Sequence, residues 1–357
     1  MIQDVEKNGK IHIHLESELK DVDGFVGNFK STLASGGKEE TLEYGIAVLA
    51  TGATALESDE YLYGKDPRIL SSLELDKKFM AKDPSLKELN SAIFIQCVGS
   101  REPDRPYCSR VCCTHSIDNA IELKKLNPEM NVYILYRDIR TYGERELLYK
   151  KARELGVIFI RYTLDAKPMV TETEDGLEVS VFDPILQRHI KIAADLVNLA
   201  TAIEPAENDK ISEFYKIPLD TEKFFMEAHA KLRPVEFATD GVFLCGLAHY
   251  PKSIEESISQ AMAAASRAAT ILSKSFIAVS PLVSQVDAEK CIGCGLCAEV
   301  CAFNAIELEE VEGKGYRAQN IPASCKGCGL CAASCPQLTI DMLHFRDLQI
   351  DASICAA

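Results

Sequence analysis

The residues best placed to do chemistry are eight cysteines near the C-terminus, Cys291, Cys294, Cys297 and Cys301, then Cys325, Cys328, Cys331 and Cys335. Each run reads C-x2-C-x2-C-x3-C, a spacing that delivers three thiolates from one tight loop and a fourth from the helix that follows. Thiolates converging in this way hold a [4Fe–4S] cube, so the runs predict two clusters. Zinc motifs separate two C-x2-C pairs by a longer loop and rarely stack three cysteines at x2 intervals. Because the fourth cysteine crosses over in two-cluster modules, Cys291, Cys294, Cys297 and Cys335 are expected on one cluster, and Cys325, Cys328, Cys331 and Cys301 on the other. Gly293, Gly295, Gly327 and Gly329 let the backbone wrap the cubes. Pro336 follows the second run where Ala302 follows the first, and neither supplies a ligand.

A second group, Cys97, Cys108, Cys112 and Cys113, reads C-x10-C-x3-C-C across the loop VGSREPDRPYCSRV. Buried structural thiols are the commoner fate of such residues, and spacing alone leaves that reading level with a third cluster. Position favours the cluster. In a dinucleotide-binding unit the turn after the first strand is glycine-rich so that pyrophosphate can approach a helix N-terminus. Here cysteines, Pro103 and Pro106 replace those glycines and only Gly99 remains, so a nicotinamide dinucleotide is not expected at this turn.

Other polar residues carry weaker signals. Arg137, Asp138 and Arg140 lie just past a strand end, where ligands gather in open α/β sheets, although a salt bridge explains them equally well. His115 beside the cysteine pair is more simply a hydrogen-bonded histidine than a ligand. Cys245 reads as a packed thiol, and Cys355 has no ligand-like neighbours.

The elements that must position these groups show in the hydrophobic pattern. Residues 11–33 alternate apolar and polar types and lead through a Gly-Gly-Lys turn into Glu43–Thr51, a buried strand ending ATGA, which reads as a β-meander feeding a central strand. From Ser91 the order is strand (92–97), cysteine loop, helix (Ser116–Leu126), strand (132–136), helix (Glu144–Leu155) and strand (157–162), an alternation that implies a parallel, helix-covered sheet. Leu177–Phe182 and His189–Ile192 read as a hairpin and Asp195–Ala200 as another buried strand. GVFLCG (241–246) is a short strand before the alanine-rich helix Ser253–Leu272, whose small residues permit close packing.

The chain has 357 residues, 47% of them apolar and 26% charged, which suits two or three packed units. A net charge of −15 works against nucleic acid, whose affinity comes from lysines and arginines. No apolar stretch reaches the roughly 18 residues of a spanning helix, so direct membrane insertion is not expected. Most of the 14 cysteines keep cluster spacing, and no basic stretch followed by an apolar run opens the chain, which points to a reducing cytoplasm.

Taken together, IQCVGS, YCSRVCC, GVFLCG with the helix start PKSIEESISQA, and the terminal cysteine runs resemble the A subunit of heterodisulfide reductase, the flavin-containing component of that enzyme in anaerobes. The resemblance implies an α/β, thioredoxin-reductase-like FAD/NAD(P)-type flavoprotein fold, partial here, with a C-terminal α+β two-cluster bacterial-type ferredoxin domain. It also implies FAD, and a third [4Fe–4S] cluster on the cysteines matching Cys97, Cys108, Cys112 and Cys113. Three departures stand out. The family's opening G-x-G-x-x-G turn and preceding cluster domain are not in this sequence, so the front half of the FAD cradle is expected on a separate chain, the alternatives being that the sequence is a fragment or that it binds flavin weakly or not at all. GGKEETLEYG runs on directly where many members insert an extra ferredoxin domain. Asp118 stands where the family often has a flavin-side lysine implicated in splitting electron pairs, and a carboxylate there would disfavour an anionic reduced flavin.

The organisation expected is therefore a partial FAD-binding domain (1–90), a Rossmann-like domain with the cysteine site (91–201), a return segment of the FAD-binding domain (202–278) and the ferredoxin domain (279–357). FAD contacts are expected from Thr51, Gly52, Gly246, Ser253, Ile254, Ser257 and Gln260, because loop amides and helix N-termini suit flavin carbonyls and phosphates. The function expected is that of an electron-transfer component, active with partner chains: HdrB- and HdrC-like subunits, the chain supplying the FAD front half, and ferredoxin or hydrogenase- or dehydrogenase-type donors. The alternatives are a pyridine-nucleotide-dependent flavin oxidoreductase, against which the missing glycine fingerprint and redox disulfide speak, and a non-catalytic scaffold bearing a ferredoxin domain.

Overall fold

The computed structural model describes residues 2–174, 176–278 and 280–356. Val279, at the expected start of the ferredoxin domain, and the terminal residues 1 and 357 lie outside the described residues. The chain forms two compact units, one of residues 1–51, 207–249 and 258–357, the other of 52–206 and 250–257.

The second unit is organised by a five-stranded sheet of β1 (Ile69–Ser71), β2 (Ser91–Val98), β3 (Asn131–Tyr136), β4 (Ile158–Arg161) and β5 (Leu196–Thr201), in the order β1-β5-β2-β3-β4. All neighbours are parallel. Strands covered on both faces read as continuous apolar runs, and β2, SAIFIQCV, is buried from Ala92 onward. Its side chains alternate between two cores. Ile93, Ile95 and Val98 pack with Leu177, Val179 and Val181 of an antiparallel sheet, while Phe94 meets Ile117, Ala120 and Ile121 of helix α1 (Cys112–Leu126).

Two sequence expectations change in this unit. The hairpin gains a third strand, Met169–Thr173, paired with Gly176–Asp183. Residues 52–90, expected with the first segment, belong here because β1 bonds to β5, a strand too short for its apolar pattern to announce it.

In the first unit, strands Ser17–Phe25, Asn28–Ser35 and Lys38–Tyr44 form the expected antiparallel meander. It begins later than its alternation suggested: residues 11–16 are exposed and outside any strand, since their apolar side chains find no core. Ala47–Leu49 then pairs in parallel with Val242–Leu244, over a core that includes Phe29, Phe225 and Phe237. Ala264 and Ala268 of helix α2 (Ile254–Leu272) pack with Val235, Phe243 and Cys245, which makes Cys245 a core residue. The C-terminal module pairs Ser284–Val286 with Ile340–Met342 and Ile306–Val311 with Gly315–Asn320, and carries the short helices Leu296–Glu299 and Leu330–Ser334. Among the described residues, no helix is long and apolar enough to cross a membrane.

Phe94 is fully buried in the strand that delivers Cys97. Phe94→Ala is expected to destabilise the protein by about 3–5 kcal/mol in chemical denaturation; a loss below about 1 kcal/mol would show that this face of β2 is not a packed core.

Candidate metal centres

The two halves of the C-terminal module repeat one backbone design. Each cysteine loop places two glycines in the left-handed region, Gly293 (φ 69°) and Gly295 (φ 80°) in the first, Gly327 (φ 66°) and Gly329 (φ 78°) in the second. Space enforces the choice as well as torsion: a Cβ on Gly293 would meet the Tyr316 carbonyl oxygen at 2.2 Å, and one on Gly327 the Leu282 carbonyl oxygen at 2.5 Å. Cys291, Cys294, Cys297 and Cys335 line one cavity together with Gly295, Leu308, Pro336 and Ile340. In the other half, burial raises the Cys331 thiol, and the thiols of Cys325 and Cys301 lie close enough to push it further. Backbone amides point at the sulfurs: Gly293 N–H to Cys291 (3.4 Å), Ala305 N–H to Cys301 (3.3 Å), Ser284 N–H to Cys325 (3.4 Å) and Thr339 N–H to Cys335 (3.5 Å). Such bonds stabilise thiolate charge and tune cluster potentials.

Cys97, Cys108, Cys112 and Cys113 are also brought together, by different means. β2 ends in a left-handed turn at Cys97 (φ 61°) and Gly99 (φ 65°), which swings the Cys97 side chain out of the strand's alternation. The loop beyond closes on itself through Arg101 N–H to the Tyr107 carbonyl (3.0 Å) and Ser100 Oγ to the same oxygen (3.0 Å). Buried Arg137 fastens it, donating to the Arg101 carbonyl (2.8 Å) and to that of Ser100. Cys112 and Cys113 open α1, where the helix macrodipole favours negative sulfur.

Electrostatics divides the four. A hydrogen bond from Cys112 holds the Cys113 thiol down to about 7 despite its burial, helped by the Arg140 backbone amide and the charges of Arg140 and Arg101. The Cys112 thiol is pushed well up by that same bond, by burial and by the sulfurs of Cys113, Cys97 and Cys108. Burial raises Cys97, opposed by Arg137 and Arg101. Three arginines thus face this thiol group. Sequence reasoning named Arg137 and Arg140 only for their place past a strand and missed Arg101, which shows only once the loop folds back and Asp138 binds it (2.6 Å).

Among the described residues, no three His, Cys, Asp or Glu side chains surround a point that one metal ion could fill. Thiolates around a four-iron cube stand further apart than ligands of one ion, and the left-handed turns, aimed amides and arginines fit that larger, anionic group. His115 lies 2.8 Å from Asp76, as an ordinary hydrogen-bonded histidine, and Asp118 is exposed on α1.

The residues expected to meet FAD are mostly engaged with their own neighbours. Thr51 Oγ1 donates to Asn208 (2.9 Å). Gly246 N–H donates to Gln260 Oε1 (2.9 Å), Gln260 Nε2 to His249 Nδ1 (2.7 Å), and His249 Nε2 to Glu227 (2.8 Å), a relay the sequence reading missed beyond Gln260. Ser253 and Glu256 cap α2 reciprocally (2.9 and 3.3 Å), Ser257 Oγ bonds the Ser253 carbonyl (2.9 Å), and Ile254 is 78% exposed. Space rather than side chain surrounds two backbone positions: Gly52 (φ 76°) and Gly246 (φ 72°) each have nothing within 4 Å of an added Cβ.

Residues 290–339 match the family model of a 4Fe-4S dicluster domain. The chain is 39% identical over 289 residues to the second iron-sulfur A subunit of the CoB--CoM heterodisulfide reductase of Methanopyrus kandleri, covering 76% of this chain and 44% of that protein. It is 38% identical over 339 residues to the A subunit of the H(2):CoB-CoM heterodisulfide,ferredoxin reductase of Methanothermobacter thermautotrophicus, covering 90% and 50%. The chain is a homologue of the heterodisulfide reductase A subunit. It spans about half the length of the curated relatives it matches. Among solved structures it is similar to T. acidophilum thioredoxin reductase, at 13% identity and a TM-score of 0.47, over 72% of this chain and 74% of that one. The α/β architecture with a C-terminal dicluster domain is the one the sequence announced.

Gly99 offers a direct check on the cysteine loop, because an added Cβ would meet Leu56 Cδ2 at 2.2 Å in a backbone region that L-residues avoid. Gly99→Ala is expected to cost about 1–3 kcal/mol and to loosen this loop, read as faster alkylation of Cys97 and Cys113 in the metal-free protein. Unchanged stability and alkylation would remove the turn from the design of the site.

Proposed function

We propose that the chain is an iron–sulfur flavoprotein electron-transfer component of a heterodisulfide-reductase-like complex, passing electrons between clusters, FAD and partner subunits. The observation that carries this reading is the cavity shared by Cys291, Cys294, Cys297 and Cys335, three sulfurs of one run and the last of the other. When bound, [4Fe–4S] clusters carry single electrons and FAD converts between two-electron and one-electron chemistry.

The chain's own residues supply placement and charge. In the module, the two quartets, with Cys325, Cys328, Cys331 and Cys301 as the second, hold their sulfurs beneath backbone amides. In the α/β unit, Cys97, Cys108, Cys112 and Cys113 hold the third cluster, with Arg101, Arg137 and Arg140 offsetting its negative charge. Flavin contacts fall at the C-terminal ends of the strands Ala47–Leu49 and Val242–Leu244, at Thr51, Gly246 and Gln260, where the Gln260–His249–Glu227 chain fixes the Gly246 amide. Partner subunits of the HdrB and HdrC kind supply donor and acceptor.

Cys108 is the half-buried member of the α/β quartet, so its replacement disturbs packing least. Cys108→Ala, purified anaerobically, is expected to lose about four irons per chain while the module's spectroscopic signals persist. Unchanged iron content would sink the third cluster.

A further inference from the structure

The two clusters of the module are not equivalent in their surroundings. The loop of the second run leans on the segment 207–249. Lys326, next to Cys325, bonds Asp240, and Lys216 bonds Asn304, three residues after Cys301. Asp240 also pairs with Arg233 (3.3 Å), Arg233 with Glu236 (2.5 Å), and Glu236 with Arg267. The result is an alternating chain of charges, Lys326, Asp240, Arg233, Glu236 and Arg267, along a cavity that Gly241, Phe243 and Cys325 also line. Beyond Cys301 the end of the first run shares this approach through Asn304, but among the described residues the loop 291–297 has no such contact. Among the described residues, its polar contacts close within the module: Lys314 Nζ to Glu289 (2.7 Å), Arg317 Nε to the Ala288 carbonyl (3.1 Å) and Lys290 to Asp287 (2.8 Å).

We infer that the cluster of Cys325, Cys328, Cys331 and Cys301 is the inner one, docked on the flavoprotein-like segment by the Lys326–Asp240 and Lys216–Asn304 bonds, and that the cluster of Cys291, Cys294, Cys297 and Cys335 is the outer one that exchanges electrons with a partner. This rests on the reading that both runs hold clusters. Asp240 stands just before the strand Val242–Leu244, and the backbone climbs about 16 Å from Gly241 to Gly246, the residue proposed to meet the flavin. The latch therefore presents the inner cluster, rather than the outer, to that strand. Asp240 is a positioning residue, and because charge beside a cluster shifts its potential, its effect is readable at a single cluster.

Two substitutions label the clusters and a third decides. Removing a neighbouring cation disfavours the added electron, so Lys326→Gln should lower the midpoint potential of the inner cluster and Lys290→Gln that of the outer, read by EPR-monitored potentiometry of the anaerobically purified full chain. Asp240→Asn should raise the potential of the Lys326-sensitive cluster and leave the Lys290-sensitive one in place. An Asp240→Asn protein in which neither moves, or in which the Lys290-sensitive one moves, overturns the assignment while the two-cluster reading stands. A chain showing fewer than two module clusters overturns the two-cluster reading, and the assignment with it.

Discussion

Bringing four sulfurs to one point is the constraint on which this structure turns. An ordinary helix or strand points successive side chains apart, so convergence requires backbone in the left-handed region. The module satisfies it with paired glycines, the first of each pair, Gly293 and Gly327, having the carbonyls of Tyr316 and Leu282 where a Cβ would stand. The α/β unit meets it differently, holding Cys97 itself at φ 61°, a conformation that costs an L-residue energy and persists because β2 and Arg137 hold the turn from either side.

The second constraint is charge. Thiolates and their clusters are anionic, and burial raises the cost of that charge. The module lowers it with backbone amides that repeat in its two halves, Ala305 to Cys301 and Thr339 to Cys335. The α/β unit uses the positive end of α1 and a ring of arginines. The two solutions have different consequences: amides are fixed with the fold, whereas the arginines depend on long side chains held by Asp138 and the loop carbonyls.

Much of this was legible in the residues. The cysteine spacings and long apolar strands such as β2 declare themselves, because each is a local pattern with one physical explanation. Strands set by pairing alone do not. β1 is three residues long and is defined by β5, and residues 11–16 alternate like a strand yet bury nothing. Arg101 and the Gln260–His249–Glu227 relay were invisible for the same reason, since each joins residues that only the fold makes neighbours. Ser253 and Ser257, which looked available to a ligand, commit their side chains to the start of α2.

The most direct test of the account is the iron and acid-labile sulfide content of the full chain purified without oxygen. Three clusters predict about twelve irons and twelve sulfides per chain. About eight, with Cys97, Cys108, Cys112 and Cys113 all open to alkylation in the loaded protein, would contradict it and leave the arginine-ringed thiols as a structural feature of the sheet.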